Sequence, residues 1–556
     1  MLFKPLVLDF LRDHVWQFVS YMLIIIVFFP IESILLPKVY GKMFDQIKTI
    51  TKFSDIYNFR ANFSKMNFPG ALVLLIVLWV VILSSSTLKT YAESLLTPDY
   101  FSYLRNIIFK NTVHSYQSNY NDMKTGDYLT RVLELTRNIK DLFQYIISRF
   151  LPELVVSFVI IIYMFMQHKT LGYILLFGSM VCLIVQYFGS SYLFTLISDR
   201  ESFFNSTVSE NLRDSLDNLM NIFLNNEVDN EVEKNKDLER QSKEKLQHIM
   251  RVQSMVTFCT DMTIVGSFAV SLIFLYYLIS IKKVKVTHGI VLVMILGQFL
   301  NNFLFVNNGF IYNIVYRLGI INSSHEFLEN IFRANSERTL TSGIKRGHIE
   351  FKNVKFRYDK TKDSFIYDNL NIVFEAGKRH SIVGQSGAGK STMMKLLVGL
   401  YTPESGAIYI DSVDTKHMKL DYLRENVNYI NQRTNLFNDT IMYNILYGNK
   451  GVDEKTVISM LKNYDLLKIF DEIPGGVYAK AGINGGNLSG GMQRIVILMR
   501  GILKPGQIII MDEPTTGLDT NTLANVKKMI IDETEGKTLI IITHENSMKI
   551  GEVHEL

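Results

Sequence analysis

Cysteine is almost missing from this sequence. Cys182 and Cys259 are the 2 in 556 residues, and neither belongs to a C-x-x-C pair, which excludes a disulfide framework. A dominant charge is missing too. The 58 Lys+Arg against 53 Asp+Glu leave +5, too slight over such a length to support nucleic-acid binding. Charged residues make up only 20%, a little below the usual ~25%. The hydrophobic 48% is ordinary for a folded chain, so disorder, collagen-like repeats and low-complexity tails are excluded. The length itself exceeds one core and suggests roughly three or four domain-sized units.

The apolar residues are unevenly spread. Residues 68–88 and 170–193 contain no charged side chain. Four further stretches are nearly as clean: 14–36 with only Glu32, 150–166 with only Glu153, 255–281 with only Asp261, and 286–315 with none beyond His288. A bilayer core of ~30 Å needs about 20 apolar residues of helix, so these stretches are predicted to be six transmembrane spans. Buried helices of a soluble protein rarely run beyond about 14 residues without a charge. The first stretch contains Pro30, is followed by Pro37 and meets no small-residue cleavage pattern, so it does not read as a signal peptide.

Gln167-His168-Lys169 leaves room only for a tight hairpin between the third and fourth spans. Helix-compatible segments join the second to the third span and the fourth to the fifth. The latter includes residues 227–247, a mixed-charge run expected to form a solvated helix laced with i,i+4 pairs. Loop charge does not orient the chain: basic residues crowd 38–67, and Lys282, Lys283 and Lys285 follow the fifth span, and with the C-terminal part in the cytosol both loops would face outward, against the positive-inside rule. The spans predict a transmembrane domain over 1–330, then a polar linker over 331–345. Over 346–556, short apolar segments and Gly-rich turns alternate with helical patterns, as in an α/β domain.

That second half carries phosphate chemistry. Ser381-Ile382-Val383 can form a strand that runs into Gly384-Gln385-Ser386-Gly387-Ala388-Gly389-Lys390-Ser391, with helix-compatible sequence from Thr392. This is G-x-x-x-x-G-K-[ST] in its strand–loop–helix setting. The glycines let successive N–H groups curl around phosphates, Lys390 reaches the β/γ-phosphates of ATP, and the Ser391 hydroxyl ligates Mg²⁺. Downstream, the apolar run Ile508–Met511 ends in Asp512 and Glu513. Asp512 is placed to hold the Mg²⁺ shell, and Glu513 to polarise an attacking water. His544 closes a second apolar run, Leu539–Ile542, where it could bond the γ-phosphate. Between these pieces stands Leu488-Ser489-Gly490-Gly491 ahead of a helical run. It is a second anion-cradling helix start, and it makes sense if two such domains face each other and each caps the nucleotide of its partner.

This order of P-loop, LSGG, Asp-Glu and His resembles the ABC transporter ATPases. Six spans fused ahead of one such domain look like an exporter-type (type IV fold) half-transporter, and the resemblance covers essentially the whole chain. It implies an all-α six-helix transmembrane domain followed by an α/β P-loop ATPase domain. It also implies an adenine-stacking role for Tyr358, a Q-loop role for Gln432 toward Mg²⁺ and water, and a D-loop role for Asp519. The runs Gln117–Asp127 and Asp214–Asn221 look like the coupling-helix regions. Three departures stand out. Gly482-Ile483-Asn484-Gly485 replaces the family's Gly-Glu-Arg-Gly, Thr516-Gly517-Leu518-Asp519 replaces Ser-Ala-Leu-Asp, and only residues 545–556 follow His544, which implies a fragment or a trimmed C-terminus. None of these removes a residue that would touch ATP.

The reading that follows is an ATPase coupled to export or flipping of a lipid, peptide or amphipathic molecule. Two chains would work as a dimer, homodimer favoured, embedded in membrane lipid with the nucleotide domain in the cytosol, and with no nucleic-acid partner. The alternative is an ATP-gated channel or membrane-bound regulator. No peptidase-like segment precedes the first span, so a leader-cleaving peptide exporter is not expected. Gln298, Asn301, Asn302 and Asn308 fall near one face of the sixth span, and with Glu32 and Asp261 they are candidates either for lining a substrate path or for bonding between helices.

Overall fold

The structure, a computed structural model, describes residues 4–48, 68–117, 125–332, 338–358, 364–385, 387–432, 434–544 and 548–556. The chain divides into two compact units: residues 1–111 with 124–332, and residues 112–123 with 333–556.

The first unit is helical. Among the described residues, 6 helices are long and apolar enough to cross a membrane: α1 Val15–Asp45, α2 Gly70–Ser115, α3 Arg131–Gln167, α4 Lys169–Asp217, α5 Val228–Ser280 and α6 Val286–Ser323. Their lengths, from 31 to 53 residues, exceed the charge-free runs because polar sequence continues the same helices. The turn between α3 and α4 is the single residue His168, whose extended backbone breaks the helix and whose Nδ1 accepts from Thr170 N at 3.2 Å. In the charged part of α5 the ion pairs are Lys234–Glu231 and Arg240–Asp237, at i,i+3 and not the expected i,i+4. Both spacings share one helix face, and the side-chain rotamers choose between them.

The two largest of the bundle's apolar clusters lie at different places along it. One gathers Phe10, Tyr21, Tyr100, Leu104 and Phe143; the other gathers Ile160, Met164, Leu175, Leu275 and Ile295. Helices α4 and α5 approach closely at Gly178, where a Cβ would lie 2.3 Å from Ser267 Oγ. Small residues are what permit such packing in lipid, where no hydrophobic force draws helices together. Four of these helices contain a wide π-helical turn: Ile31–Leu35, Ile146–Phe150, Phe204–Val208 and Ile311–Val315.

The second unit is α/β. Strands β1 Ile349–Phe356, β2 Tyr367–Phe374, β4 Ser405–Ile410 and β5 Val413–Asp414 form an antiparallel sheet in the order β2-β1-β4-β5. Strands β3 Arg379–Val383, β6 Val427–Ile430, β7 Ile508–Asp512, β8 Thr538–Ile542 and β9 Glu552–Glu555 form a parallel one in the order β6-β7-β8-β3-β9. Every residue of β7 and β8 is buried, which is why both read as unbroken apolar runs without alternation. Helices α7 Lys390–Leu397, α8 Gly490–Ile502 and α9 Thr520–Glu533 follow the loops that matter below. The stretch from residue 338 is tied down: Leu340 N bonds His417 O at 2.9 Å, and the backbone N–H groups of residues 345–348 all donate to Asp411.

Candidate active site

In an open parallel sheet, ligands sit beyond the C-terminal strand ends. Strand β3 leads there directly into the P-loop. Gly389 has φ +89°, and a Cβ on it would lie 2.5 Å from the Tyr367 hydroxyl, which itself donates to Gly389 O at 2.6 Å. Only glycine fits both demands. The loop closes around Lys390, 6% exposed, whose ammonium donates to Gly384 O and Gln385 O at 2.8 Å each. Gly387 is left-handed at φ +87°, and Ala388 N turns back onto Gln385 O at 3.2 Å. Ser386 lies outside the described residues. Thr392, in the first turn of α7, bonds the Tyr358 hydroxyl at 2.9 Å. The Tyr358 ring stands edge-on to Phe356 and Tyr401, 5.1 Å from each, and is 46% exposed.

The carboxylates sit at the end of β7. Asp512 is buried, and burial pushes its carboxyl above the ordinary range; hydrogen bonds from Ser391 and Tyr429 pull the other way. A dication would relieve that cost. Ser391, Asp512 and Gln432 offer the hard oxygen donors that Mg²⁺ prefers, so the donor set fits that ion. Glu513 is left-handed at φ +47°, a strain of about 1–2 kcal/mol for a residue with a Cβ. The backbone is held there by Glu513 N donating to Ile542 O at 2.9 Å. This twist aims the carboxylate at three groups. Gln432 Nε2 donates to its Oε2, Thr516 Oγ1 donates to the same oxygen at 3.2 Å, and His544 Nε2 lies 3.6 Å from Oε1. Glu513, Gln432 and His544 come from three separate segments and meet at one carboxylate.

The LSGG residues do different work within the chain. Leu488 is buried, whereas Ser489 and Gly490 are exposed. Ser489 Oγ caps α8 by accepting from Met492 N at 3.3 Å. A Cβ at Gly490 would meet nothing within 4 Å, and one at Gly491 would meet only ordinary contacts, the nearest at 3.6 Å. Asp519 caps α9, accepting from Asn521 N and Thr522 N at 3.0 Å each. Bonds from Thr522 hold its carboxyl below the ordinary range.

One residue that motif reading passed over holds much of this together. Arg494, on α8 just beyond LSGG, is 5% exposed. Its guanidinium donates to the carbonyls of Pro514 (2.9 Å), Asn431 (3.1 Å), Gln432 (3.3 Å), Asp512 (2.6 Å) and Glu513 (2.6 Å). A signal was present: Arg494 opens an apolar helical run, Ile495–Met499, where a charge needs buried partners.

Known proteins match both units. The description "ABC transporter transmembrane region" matches residues 17–303, more than half of the chain, and "ABC transporter" matches residues 367–516. The chain belongs to the ABC transporter family. It is therefore an integral membrane protein with an ATP-binding unit. P-glycoprotein 14 of Caenorhabditis elegans is 36% identical over 201 residues, 36% of this chain and 15% of that protein. An ATP-dependent lipid A-core flippase of Coxiella burnetii is 34% identical over 220 residues, 39% of this chain and 37% of that protein. The matched stretch thus spans well under half of either relative. In fold, this ABC transporter resembles a bacterial Atm1-family ABC exporter solved with ATP bound, with a TM-score of 0.82 over 98% of this chain and 93% of the other at 21% identity.

Proposed function

We propose that this ABC transporter is an ATP-hydrolysing exporter half that works as a dimer, with its nucleotide unit in the cytosol. The observation that carries the reading is the Glu513 carboxylate, gripped by Gln432 and Thr516 on one oxygen and facing His544 with the other. ATP is the substrate of this site. The P-loop N–H groups and Lys390 would bind its phosphates, and Tyr358 would stack on the base. Mg²⁺, held by Ser391, Asp512 and Gln432, would neutralise charge on the β/γ-phosphates. Glu513 takes the proton of the attacking water, while its two hydrogen-bond donors fix its orientation.

The dimer reading rests on glycine. A Cβ at Gly490 would meet nothing within this chain, so that exposed helix start stands open to a phosphate held by a partner's P-loop. The apolar side chains of Leu216 and Met220 within the predicted coupling region Asp214–Asn221, and of Phe223 and Leu224 just beyond it, are all more than half exposed. They give a partner a surface to press on as ATP closes the dimer.

For the cargo, the first unit holds a cavity of about 510 Å³ between α3, α4 and α6, walled by Phe150, Tyr187, Phe194 and Phe303, with Gln186, Ser190, Ser191 and Asn307 among its polar groups. Gln186 Oε1 is buried without a hydrogen-bond partner, which favours an amphipathic or lipid-like molecule that offers one donor to an apolar slot. The flippase among the relatives accords with that class. Of the polar residues on the sixth span, Asn302 is buried and bonds Gln298 at 3.2 Å, Asn301 and Asn308 are exposed, and none of the four lines this cavity. Asn307, which sequence reading passed over, does line it, and it also ties to Asp261 at 2.6 Å.

The deciding experiment is Glu513→Gln in purified chain. ATP binding is expected to persist while turnover falls by about 10²–10⁴; turnover at the wild-type rate would remove Glu513 from the role. Substrate-stimulated ATPase in liposomes against lipids, peptides and drugs then tests the cargo. Single-channel currents far above pump turnover would favour an ATP-gated channel instead.

A further inference from the structure

We propose that His380, Glu552 and His554 form a binding site for a borderline divalent transition-metal ion, zinc foremost, where β9 meets β3 in the parallel sheet and separate from the ATP site. Strand β9 lies beside β3 in parallel register, with His380 opposite Glu552 and Ile382 opposite His554. Residues two apart on a strand share a face, so β9 presents a carboxylate and an imidazole to the His380 ring. His380 Nδ1 lies 3.1 Å from His554 Nε2 and 3.5 Å from Glu552 Oε2, and all three donor atoms lie within 4.8 Å of one another.

Those spacings suit an ion. With Zn–N near 2.0–2.1 Å and tetrahedral angles, neighbouring ligand atoms stand about 3.3 Å apart. The proton bookkeeping agrees. His380 Nε2 lies 3.1 Å from Glu375 O, and a carbonyl only accepts, so that nitrogen carries the hydrogen and Nδ1, facing β9, is the nitrogen available to a metal. A carbonyl on the far nitrogen of a ligating histidine is the usual arrangement for fixing its tautomer. The Phe374 ring, 5.3 Å from His380 and 5.0 Å from His554, closes the site on its apolar side. Two imidazoles and one carboxylate match zinc and its neighbours Co²⁺ and Ni²⁺ rather than Mg²⁺.

The site's position gives it a consequence. Leu556 N, just past β9, bonds Val383 O at 3.0 Å, and Leu556 O abuts Gly384, the first P-loop glycine. An ion that pins β9 to β3 braces the strand from which the P-loop departs, and it stabilises the nucleotide unit by mass action.

The test uses the full chain in detergent, stripped with chelator and free of nucleotide, titrated with Co²⁺ as an optical probe and with Zn²⁺ as competitor. Wild type is expected to develop the visible absorption of tetrahedral cobalt, saturating at one equivalent and lost on adding Zn²⁺, and its unfolding temperature should rise with Zn²⁺. Glu552 is exposed and His554 half-buried, and His554→Gln and Glu552→Gln should each weaken binding by about tenfold or more. Absence of a saturable cobalt band in the wild type overturns the proposal. So does wild-type affinity in both variants.

Discussion

Arg494 offers the sharpest test of how the ATP site is held together. Replacing it with Met keeps the length and apolar stem but removes all the donors that serve Asn431, Gln432, Asp512, Glu513 and Pro514. The five bonds come from one guanidinium and do not add. Removing a buried charged partner costs about 3–5 kcal/mol. For a unit of roughly 150–250 residues each kcal/mol is worth about 2–4 °C, so the unfolding temperature of the nucleotide unit should drop by about 6–20 °C. Arg494→Lys keeps a charge but only three donors without the planar fork, and about half of that loss is expected. Turnover should fall more than tenfold in both variants, because the backbones of Gln432 and Glu513 are positioned by the same group. Calorimetry is the suitable readout, since both tryptophans, Trp16 and Trp79, belong to the membrane unit and their fluorescence would report the wrong transition. Arg494→Lys with wild-type unfolding temperature and wild-type turnover would refute the reasoning.

Other positions give independent checks. Gly389→Ala combines a left-handed backbone with a clash against Tyr367, so nucleotide affinity measured by equilibrium binding should fall at least tenfold, with the membrane unit's unfolding unchanged. Asp411 and Ser412 form the two-residue turn between β4 and β5, with φ +47° and +69°, the geometry that favours glycine at the second position. Ser412→Gly should therefore raise the unfolding temperature, by an amount matching about 0.5–1 kcal/mol. Burial would raise the Asp411 carboxyl, but the N–H groups of residues 345–348 outweigh it and hold it below the ordinary range. Its stabilisation is therefore present at neutral pH and is lost as pH falls through that depressed value, below about 4. Asp411→Asn should flatten the acid side of the stability profile, at a cost of about 1 kcal/mol at pH 7.

The sequence disclosed what is local. Absence of charge marks the spans, because lipid tolerates none. The P-loop is legible because its glycines, Lys390 and Ser391 lie within eight residues of one another. The cluster at Glu513 was readable only as separate motifs, since Gln432 and His544 reach it from loops 81 and 31 residues away in the chain. What escaped depends on which neighbour a side chain meets. Tyr367, placed before the P-loop in sequence, explains Gly389 only after β2 and β3 have been laid down. Asn307 faces the cavity and Asp261, while Asn301 and Asn308 point outward, and no helical period could choose among them without knowing where α4 and α5 lie. Arg494 carried a compositional signal, but its acceptors are backbone carbonyls, which no side-chain pattern records.

The wide turns in the membrane helices have a consequence for how faces are inherited along them. In each, the closing N–H reaches back five residues, as from Tyr316 to Ile311 or from Leu151 to Ile146. One residue is thereby inserted into an otherwise continuous α-helix, which rotates everything beyond it by about 100° relative to a regular continuation. Two such turns adjoin the cavity, one contributing Phe150 and the other Ile314 and Val315. Deleting Tyr312 would let α6 regain ordinary hydrogen bonding without loss of helix, yet it would swing Leu318 away from the cavity wall. The helix would remain intact by circular dichroism while its lower half addressed the wrong neighbours. These turns act as phase shifters, joining two helical surfaces that a single uninterrupted periodicity could not serve together.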